Sequence, residues 1–320
     1  MSEPSLARRL WGMTQPLRQG VRRLYPDSVY VSRQYRFRNG VLPDLRNPRD
    51  LSEKVQWLKL HDRSALHTQC ADKIRARDYV AARLGPGHLV PALLVTYDPE
   101  DIRPEAIRAE RFVVKTNHDQ GGVFICRDRA AFDWAGVRAE VAARLKVNKY
   151  PEYRERQYRD IRPGVLVEDY LEAEDGANVR ELKFYCFHGE PRYVQVVTDR
   201  FENRREGFYD PNWRRMPFMA PVAQLEGEIP RPPCLERLLG AARALAEPFL
   251  FCRIDFLHGG GERAWFGEVT FHHGAGLIRF EPPEWERALG DMIDLSRLGE
   301  TRRIQDAVLK AARAAGPPAG

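Results

Sequence analysis

Two stretches of the chain are constrained to fold as antiparallel strand pairs. In ELKFYCFHGEPRYVQVVTDR, Glu181–Arg200, two apolar runs meet at His188–Gly189–Glu190. A connection that short returns the chain beside itself and leaves no room for a crossover helix. FCRIDFLHGGGERAWFGEVT, Phe251–Thr270, repeats the pattern across a glycine-rich turn. Strands are also expected at Arg111–Asn117, just beyond the turn HDQGG, and at Gly164–Leu171, which ends in acids. Asp50 and Glu53 have capping-box spacing, and Leu51, Val55 and Leu58 follow at helical intervals. Further helices are expected over Ala71–Leu84, ending at Gly85, and over Phe132–Leu145. Leu235, Leu238, Leu239, Ala242, Leu245 and Ala246 form an amphipathic helix stopped by Pro248. Proline-rich loops are expected up to about Pro104. The regular strand–helix alternation of a doubly wound parallel sheet is missing, so the fold class is α+β with mostly antiparallel sheets.

The 320 residues are enough for two domains or one domain with lobes, and 43% apolar with 30% charged residues fits a soluble globular chain. The net charge of +6 is largely arginine and suits an anionic ligand without requiring nucleic acid. Cys70, Cys126, Cys186, Cys234 and Cys252 are odd in number and widely spaced, without a CxxC. They read as buried thiols of a reducing compartment, neither disulfides nor a zinc site. Eight arginines crowd the first 40 residues with no long apolar run behind them. A secretory signal and a membrane span are therefore not expected, and the location expected is cytoplasmic. Trp11, Leu17, Val21 and Leu24 are compatible with an amphipathic basic face and peripheral membrane contact, although a packed helix or a loose tail is the favoured reading.

The strand pair Phe251–Thr270 carries charge where a buried strand should have none: Arg253 and Asp255 on one strand, Glu268 on the other. Two carboxylates brought close repel unless a cation lies between them. Oxygen-only donors suit Mg²⁺, which completes its shell with water and phosphate oxygens. Thr270 shares a face with Glu268, and Arg253 shares one with Asp255. The plainer reading is a buried Arg–Asp–Glu salt network. Lys115 ends an apolar strand ahead of Gly121 and Gly122, which suits a polyphosphate approached by free backbone N–H groups. Glu168 and Asp169 at a strand exit can accept from an adenine amine or ribose hydroxyls. Lys183, inside the apolar run Leu182–Phe187, needs an anionic partner or a wet cleft.

The order of these features resembles the ATP-grasp superfamily, and within it the TupA-like branch named for teichuronopeptide biosynthesis. The segments that carry the resemblance are SEKVQWLKLHDR, ADKIRARDYV, FVVKTNHDQGGVFIC, GVLVEDYL, LKFYCFHGEPRYVQVVTDR, YDPNW, RIDFL and FGEVTFHHGAG, from about Leu51 to Gly290. The resemblance implies an ATP-grasp fold, with two α+β subdomains gripping ATP behind a helical N-terminal region. It implies a basic extension over 1–45, a helical region over 46–104, subdomains over 105–167 and 168–300, and a C-terminal helix or tail over 301–320. It implies that Lys73 and Lys115 contact ATP phosphates under a flexible lid loop from His118 through Gly121 and Gly122. Glu168, Asp169, Tyr170 and Leu171 would form the hinge at the adenine, and Lys183 would reach the nucleotide. Asp255, Glu268 and Thr270 would hold Mg²⁺, with Thr270 standing where many ATP-grasp enzymes have Asn. Arg253 would stabilise the transferring phosphate, and His273 to Gly276 would lie near the acceptor.

The function these roles imply is ATP-dependent carboxylate–amine ligation through an acyl phosphate, in cell-surface polysaccharide assembly. An acidic sugar or an amino acid would be the acceptor. Phosphotransfer to a sugar would use the same ATP site. Nucleotide-sugar glycosyl transfer would need a DxD-like motif, and none is evident. An arginine-rich nucleic-acid or membrane adaptor would not need Asp255 and Glu268, and no nucleic-acid partner is expected.

Overall fold

The computed structural model describes residues 25–174, 178–198 and 203–315. The N-terminal basic face expected around Trp11, Leu17, Val21 and Leu24 lies outside them. Helices α1 (Asp27–Asn39), α2 (Leu51–His61), α3 (Ala65–Ala71) and α4 (Ala76–Leu84) come first among the described residues. The capping box at the start of α2 is present in both directions, between Asp50 and Glu53. Leu51, Val55 and Leu58 are fully buried. The single helix expected over Ala71–Leu84 is instead broken between α3 and α4. There the Asp72 carboxylate accepts from the Ile74 amide at 2.9 Å and from Asn117 Nδ2 at 2.8 Å. An aspartate that accepts from a backbone amide two residues on competes with the helical ladder, and Asn117, 45 residues away, holds it in that arrangement. The break turns Lys73 out of helical register.

Four short strands form the first sheet: β1 (Ala92–Thr96), β2 (Phe112–Thr116), β3 (Val123–Cys126) and β4 (Val165–Asp169), in the order β1-β4-β2-β3. β1 lies in the stretch expected to be loop. It is a five-residue edge strand with mixed burial, so no clean alternation marks it, and pairing with β4 makes it a strand. Phe112, Val114, Val165 and Val167 face Val141 of helix α5 (Trp134–Leu145) in one core. Alternation then leaves Lys115, Leu166 and Glu168 on the opposite face. After α5 comes the single turn α6 (Tyr150–Tyr153).

The second sheet has five strands: β5 (Arg180–Phe187), β6 (Glu190–Thr198), β7 (Arg205–Tyr209), β8 (Phe251–His258) and β9 (Ala264–Thr270), in the order β7-β6-β5-β8-β9. Among the described residues every pairing between these nine strands is antiparallel. The β5–β6 turn holds His188 and Gly189 at φ of 50° and 82°, the left-handed pair that a two-residue hairpin needs. Leu182, Phe184, Cys186, Val194, Cys252 and Ile254 form the back face, covered by helix α7 (Leu235–Ala246). The front face is divided. Toward one end Tyr185, Phe187, Tyr193, Phe208 and Phe251 pack with Leu51, Val55 and Leu58 of α2 and with Leu289 of helix α8 (Glu284–Asp291). Toward the other end the same face carries Glu181, Lys183, Asp255 and Glu268, opposite the first sheet. Helix α9 (Leu298–Ala315) is the last element among the described residues. All five cysteines are free and buried. Among the described residues no helix is long and apolar enough to cross a membrane.

Candidate active site

Between the two sheets lies a cleft of about 350 Å³. Strand register sets its lower wall. Lys183, Asp255 and Glu268 are directly opposite one another across β5, β8 and β9, and so are Tyr185, Arg253 and Thr270 one alternation away. Directly paired side chains have Cβ atoms about 5 Å apart, so three strands deliver two cations, two carboxylates and two hydroxyls to one patch. A bulge sits beside it, where Gly267 has no partner of its own and Phe256 pairs with Phe266. A Cβ on Gly267 would lie 3.1 Å from the Asp255 carbonyl oxygen.

The charges form a continuous network. Arg253 donates from Nε and Nη2 to the two Asp255 oxygens, both at 2.7 Å, and from Nη2 to Thr270 Oγ1 at 3.1 Å and Glu268 Oε1 at 3.4 Å. Lys183 Nζ donates to Asp255 Oδ2 at 2.8 Å and pairs with Glu181 at 2.7 Å. Burial alone would raise the Asp255 carboxyl pKa, but Arg253 and Lys183 overcome it and hold the group at about 2. Burial works against the charge on Arg253 as well, and Asp255 outweighs it, so its pKa is raised.

On the opposite wall Glu168 accepts from Lys115 Nζ at 2.5 Å and from Arg77 Nη1 at 2.7 Å. Glu168 lies in the cleft as expected of a strand-exit acid, but both its oxygens are taken by cations. Asp169, Tyr170 and Leu171, grouped with it as the hinge, do not line this cleft; Tyr170 instead sits under Arg111, 5.4 Å from its guanidinium. Arg77, which the sequence reading missed, enters from α4. Its partner is 91 residues away, so no local spacing marks it.

The loop after β2 is more fixed than a flexible lid. Asn117, His118 and Asp119 are buried. His118 does not reach the cleft: its ring contacts the Arg144 and Val147 carbonyls at 3.3 and 3.2 Å, at the end of α5. Burial lowers its pKa, in spite of nearby Asp119. Asp119 is held by Thr116 Oγ1 and by Arg144 at 2.9 Å. Gly122 is required by packing, because a Cβ there would fall 1.8 Å from Thr116 Oγ1. The loop offers the cleft the exposed tip Gln120–Gly121 and part of Asp119. Lys73 reaches the underside of this loop, donating to the Asp119 carbonyl at 2.8 Å. Burial lowers its pKa, and Glu268 and Asp119 oppose the shift.

Beyond β9 the chain makes a left-handed turn, with Gly274, Ala275 and Gly276 at φ of 53°, 55° and 65°. Gln56 of α2 holds it, donating to the Ala275 and Gly276 carbonyls at 3.0 and 2.6 Å, and Lys59 donates to Gln56 Oε1 at 3.0 Å. Gly276 packs against Val55 and Gln56 and does not line the cleft. His273 does line it. The residue is 2% exposed, its ring packed among Tyr185, Phe251 and Phe280, and among the described residues neither ring nitrogen has a hydrogen-bond partner. Burial, aided by Arg253 and His272, brings its pKa to about 3 and keeps the ring neutral.

The cleft can therefore hold a polyanion among Lys73, Arg77, Lys115, Lys183 and Arg253, and a flat apolar group among Leu89, Leu166, Leu257 and Phe266. Asp255, Glu268 and Thr270 suit a magnesium ion that takes its remaining oxygens from such a ligand. Among the described residues no group of three or more His, Cys, Asp or Glu could hold a metal unaided.

No functionally curated sequence matches the chain. Solved structures with low overall likeness include D-alanine–D-alanine ligase from Bacillus anthracis complexed with ATP, at 17% identity and a TM-score of 0.39, covering 78% of this chain and 69% of the other. ATP-grasp ligase PsnB with its minimal precursor matches at 12% identity and 0.36, covering 76% of this chain and 62% of its own. D-cycloserine synthetase DcsG matches at 16% and 0.36, covering 71% of each chain. This chain thus spans from somewhat under two thirds to about seven tenths of their lengths. The sequence profile described as TupA-like ATPgrasp matches residues 53–294, well over half of the chain. Two antiparallel sheets closing on a cation-lined cleft, in a chain matched over that range, make this protein a member of the TupA-like ATP-grasp family.

Proposed function

We propose that the chain is an ATP-dependent carboxylate–amine ligase that works through an acyl phosphate. The observation that carries this reading is the in-register row Lys183–Asp255–Glu268 with Arg253 alongside, facing Lys115 and Lys73 across one cleft. Transfer of a phosphoryl group to a carboxylate, and attack on the acyl phosphate by an amine, both concentrate negative charge. Fixed cations in a site shielded from water offset that charge without reorganising. In this reading Lys73, Lys115 and Lys183 bind the triphosphate, Leu166, Leu257 and Phe266 contact the base, and Arg253 steadies the transferring group. Asp255, Glu268 and Thr270 would hold Mg²⁺, which would supply Lewis-acid polarisation of the phosphate oxygens. The Asp255 carboxylate already accepts three hydrogen bonds from Arg253 and Lys183, of roughly four that a carboxylate can take, so a metal would compete with those cations for it. In this reading the neutral ring of His273 would act at the acceptor end of the cleft once its buried ring nitrogens are uncovered.

Family membership and the acyl-transfer chemistry support a place in the assembly of cell-surface polysaccharide, with an acidic sugar or an amino acid supplying the carboxylate. The test is a thermal melt with ATP, with and without Mg²⁺, followed by hydroxylamine trapping. Magnesium-dependent stabilisation by a few kcal/mol is expected when ATP is about a hundredfold above Kd, with a hydroxamate formed only when a carboxylate substrate is present. Absence of any nucleotide shift would overturn the ATP assignment. ADP release with a phosphorylated sugar and no hydroxamate would identify a phosphotransferase.

A further inference from the structure

A second cleft, of about 1160 Å³, adjoins the first and shares Gln120, Gly274 and Ile278 with it. Its outer wall is helix α1, which contributes Arg33, Arg36 and Arg38. All three are exposed, and among the described residues none makes an ion pair; Arg33 lies over the Tyr25 ring at 5.3 Å. Phe37 sits between them with 94% of its surface exposed. The inner wall is the left-handed turn held by Gln56, so the partition between the clefts is anchored to the buried side of α2.

We propose that this second cleft binds the acceptor as an acidic oligosaccharide, several uronic-acid residues long, with its reacting end at Gly274 and its chain along α1. The inference rests on the ligase reading above and adds to it where the acceptor lies and what class it belongs to. Three observations favour it. The two clefts adjoin at Gln120, Gly274 and Ile278, beside the turn that follows His273, where in the ligase reading a carboxylate meets the transferred phosphoryl group. The second cleft is larger than the roughly 300–1,000 Å³ usual for a single small molecule, which fits a chain better than a free amino acid. Its outer wall pairs three cations with an open aromatic ring. Guanidinium forks match carboxylates, and the negative face of an aromatic ring attracts the polarised C–H groups of a sugar. A peptide acid would use the arginines but would not need the ring.

The experiment is calorimetry on the full chain without nucleotide, using a tetragalacturonate, a neutral glucan tetrasaccharide and a tetraglutamate peptide, with ATP titrated separately. Tetragalacturonate is expected to bind at least about tenfold more tightly than the other two. The combined variant Arg33→Gln, Arg36→Gln, Arg38→Gln should weaken it about tenfold and flatten its salt dependence, with ATP affinity unchanged. Phe37→Ala should weaken both saccharides. Wild-type tetragalacturonate affinity in the arginine variant would overturn the proposal, and so would tighter binding of tetraglutamate. If the variant instead loses only its binding to phosphatidylserine vesicles, α1 is a membrane-facing surface and the proposal fails. Loss of ATP binding in the wild-type chain would sink the ligase reading, while the saccharide titrations would still decide this one.

Discussion

Asp255→Asn and Glu268→Gln should separate sharply in stability although both should abolish turnover. β8 has a neighbour on each side, whereas β9 is the edge of its sheet. The Asp255 side chain is accordingly 6% exposed and that of Glu268 40%. Asp255 accepts two hydrogen bonds from Arg253 and one from Lys183, all within 2.8 Å. Glu268 meets Arg253 at 3.4 Å and Thr270 at 3.0 Å. Neutralising Asp255 leaves two buried cations short of a partner, a change that costs about 3–5 kcal/mol. The carboxyl pKa of about 2, against an ordinary 3.8, gives ~2–3 kcal/mol by a separate route. Neutralising Glu268 disturbs a half-open pair worth about 0–1 kcal/mol.

Thermal melts at pH 7 should therefore show Asp255→Asn lower by on the order of 10 °C and Glu268→Gln within about 2 °C of wild type. ADP release should be lost in both. The pH dependence has a defined sign. A depressed folded pKa contributes stability that is complete above about 4 and is lost as pH falls toward 2, and Asp255→Asn should lack that component. Equal falls in melting temperature for the two variants, or none in either, would refute the reasoning from strand position.

Other outcomes follow from the same geometry. Arg253→Lys should keep ATP affinity, measured by calorimetry, but lower kcat about 10²–10³-fold, because an ammonium cannot span the two Asp255 oxygens that Nε and Nη2 reach; near wild-type kcat would remove Arg253 from the chemistry. His273→Phe should fold and lose turnover. Its folded pKa of about 3 lies below the ordinary 6.5, so wild-type stability falls as pH drops between those values, and the variant should lose up to ~1.4 kcal/mol per pH unit of that slope in urea titrations. Gly276→Ala should destabilise by ~1–3 kcal/mol and lower kcat, since φ is +65° and a Cβ would lie 2.7 Å from Gln56 Nε2 and Val55; an unchanged melt would show that the turn relaxes freely.

What the sequence by itself determined was local in origin. The capping box at Asp50, the hairpin turn at His188–Gly189 and the amphipathic face of Leu235–Ala246 depend on neighbours a few residues apart, and all three elements form where expected. Two-residue alternation is equally local, and it placed Arg253 with Asp255 and Glu268 with Thr270 on shared faces. What tertiary structure alone decided depends on partners far along the chain. Asn117 helps Asp72 interrupt a helix that its own sequence would continue. β4 turns Ala92–Thr96 into a strand. Arg77 joins Lys115 on Glu168, and α5 draws His118 away from the cleft. The difference between Asp255 and Glu268 is of the same kind. The two acids look equivalent in a hairpin read alone, and only the order of strands in the sheet buries one and leaves the other at the edge, because burial is set by what packs alongside and not by the residue's own neighbours in sequence.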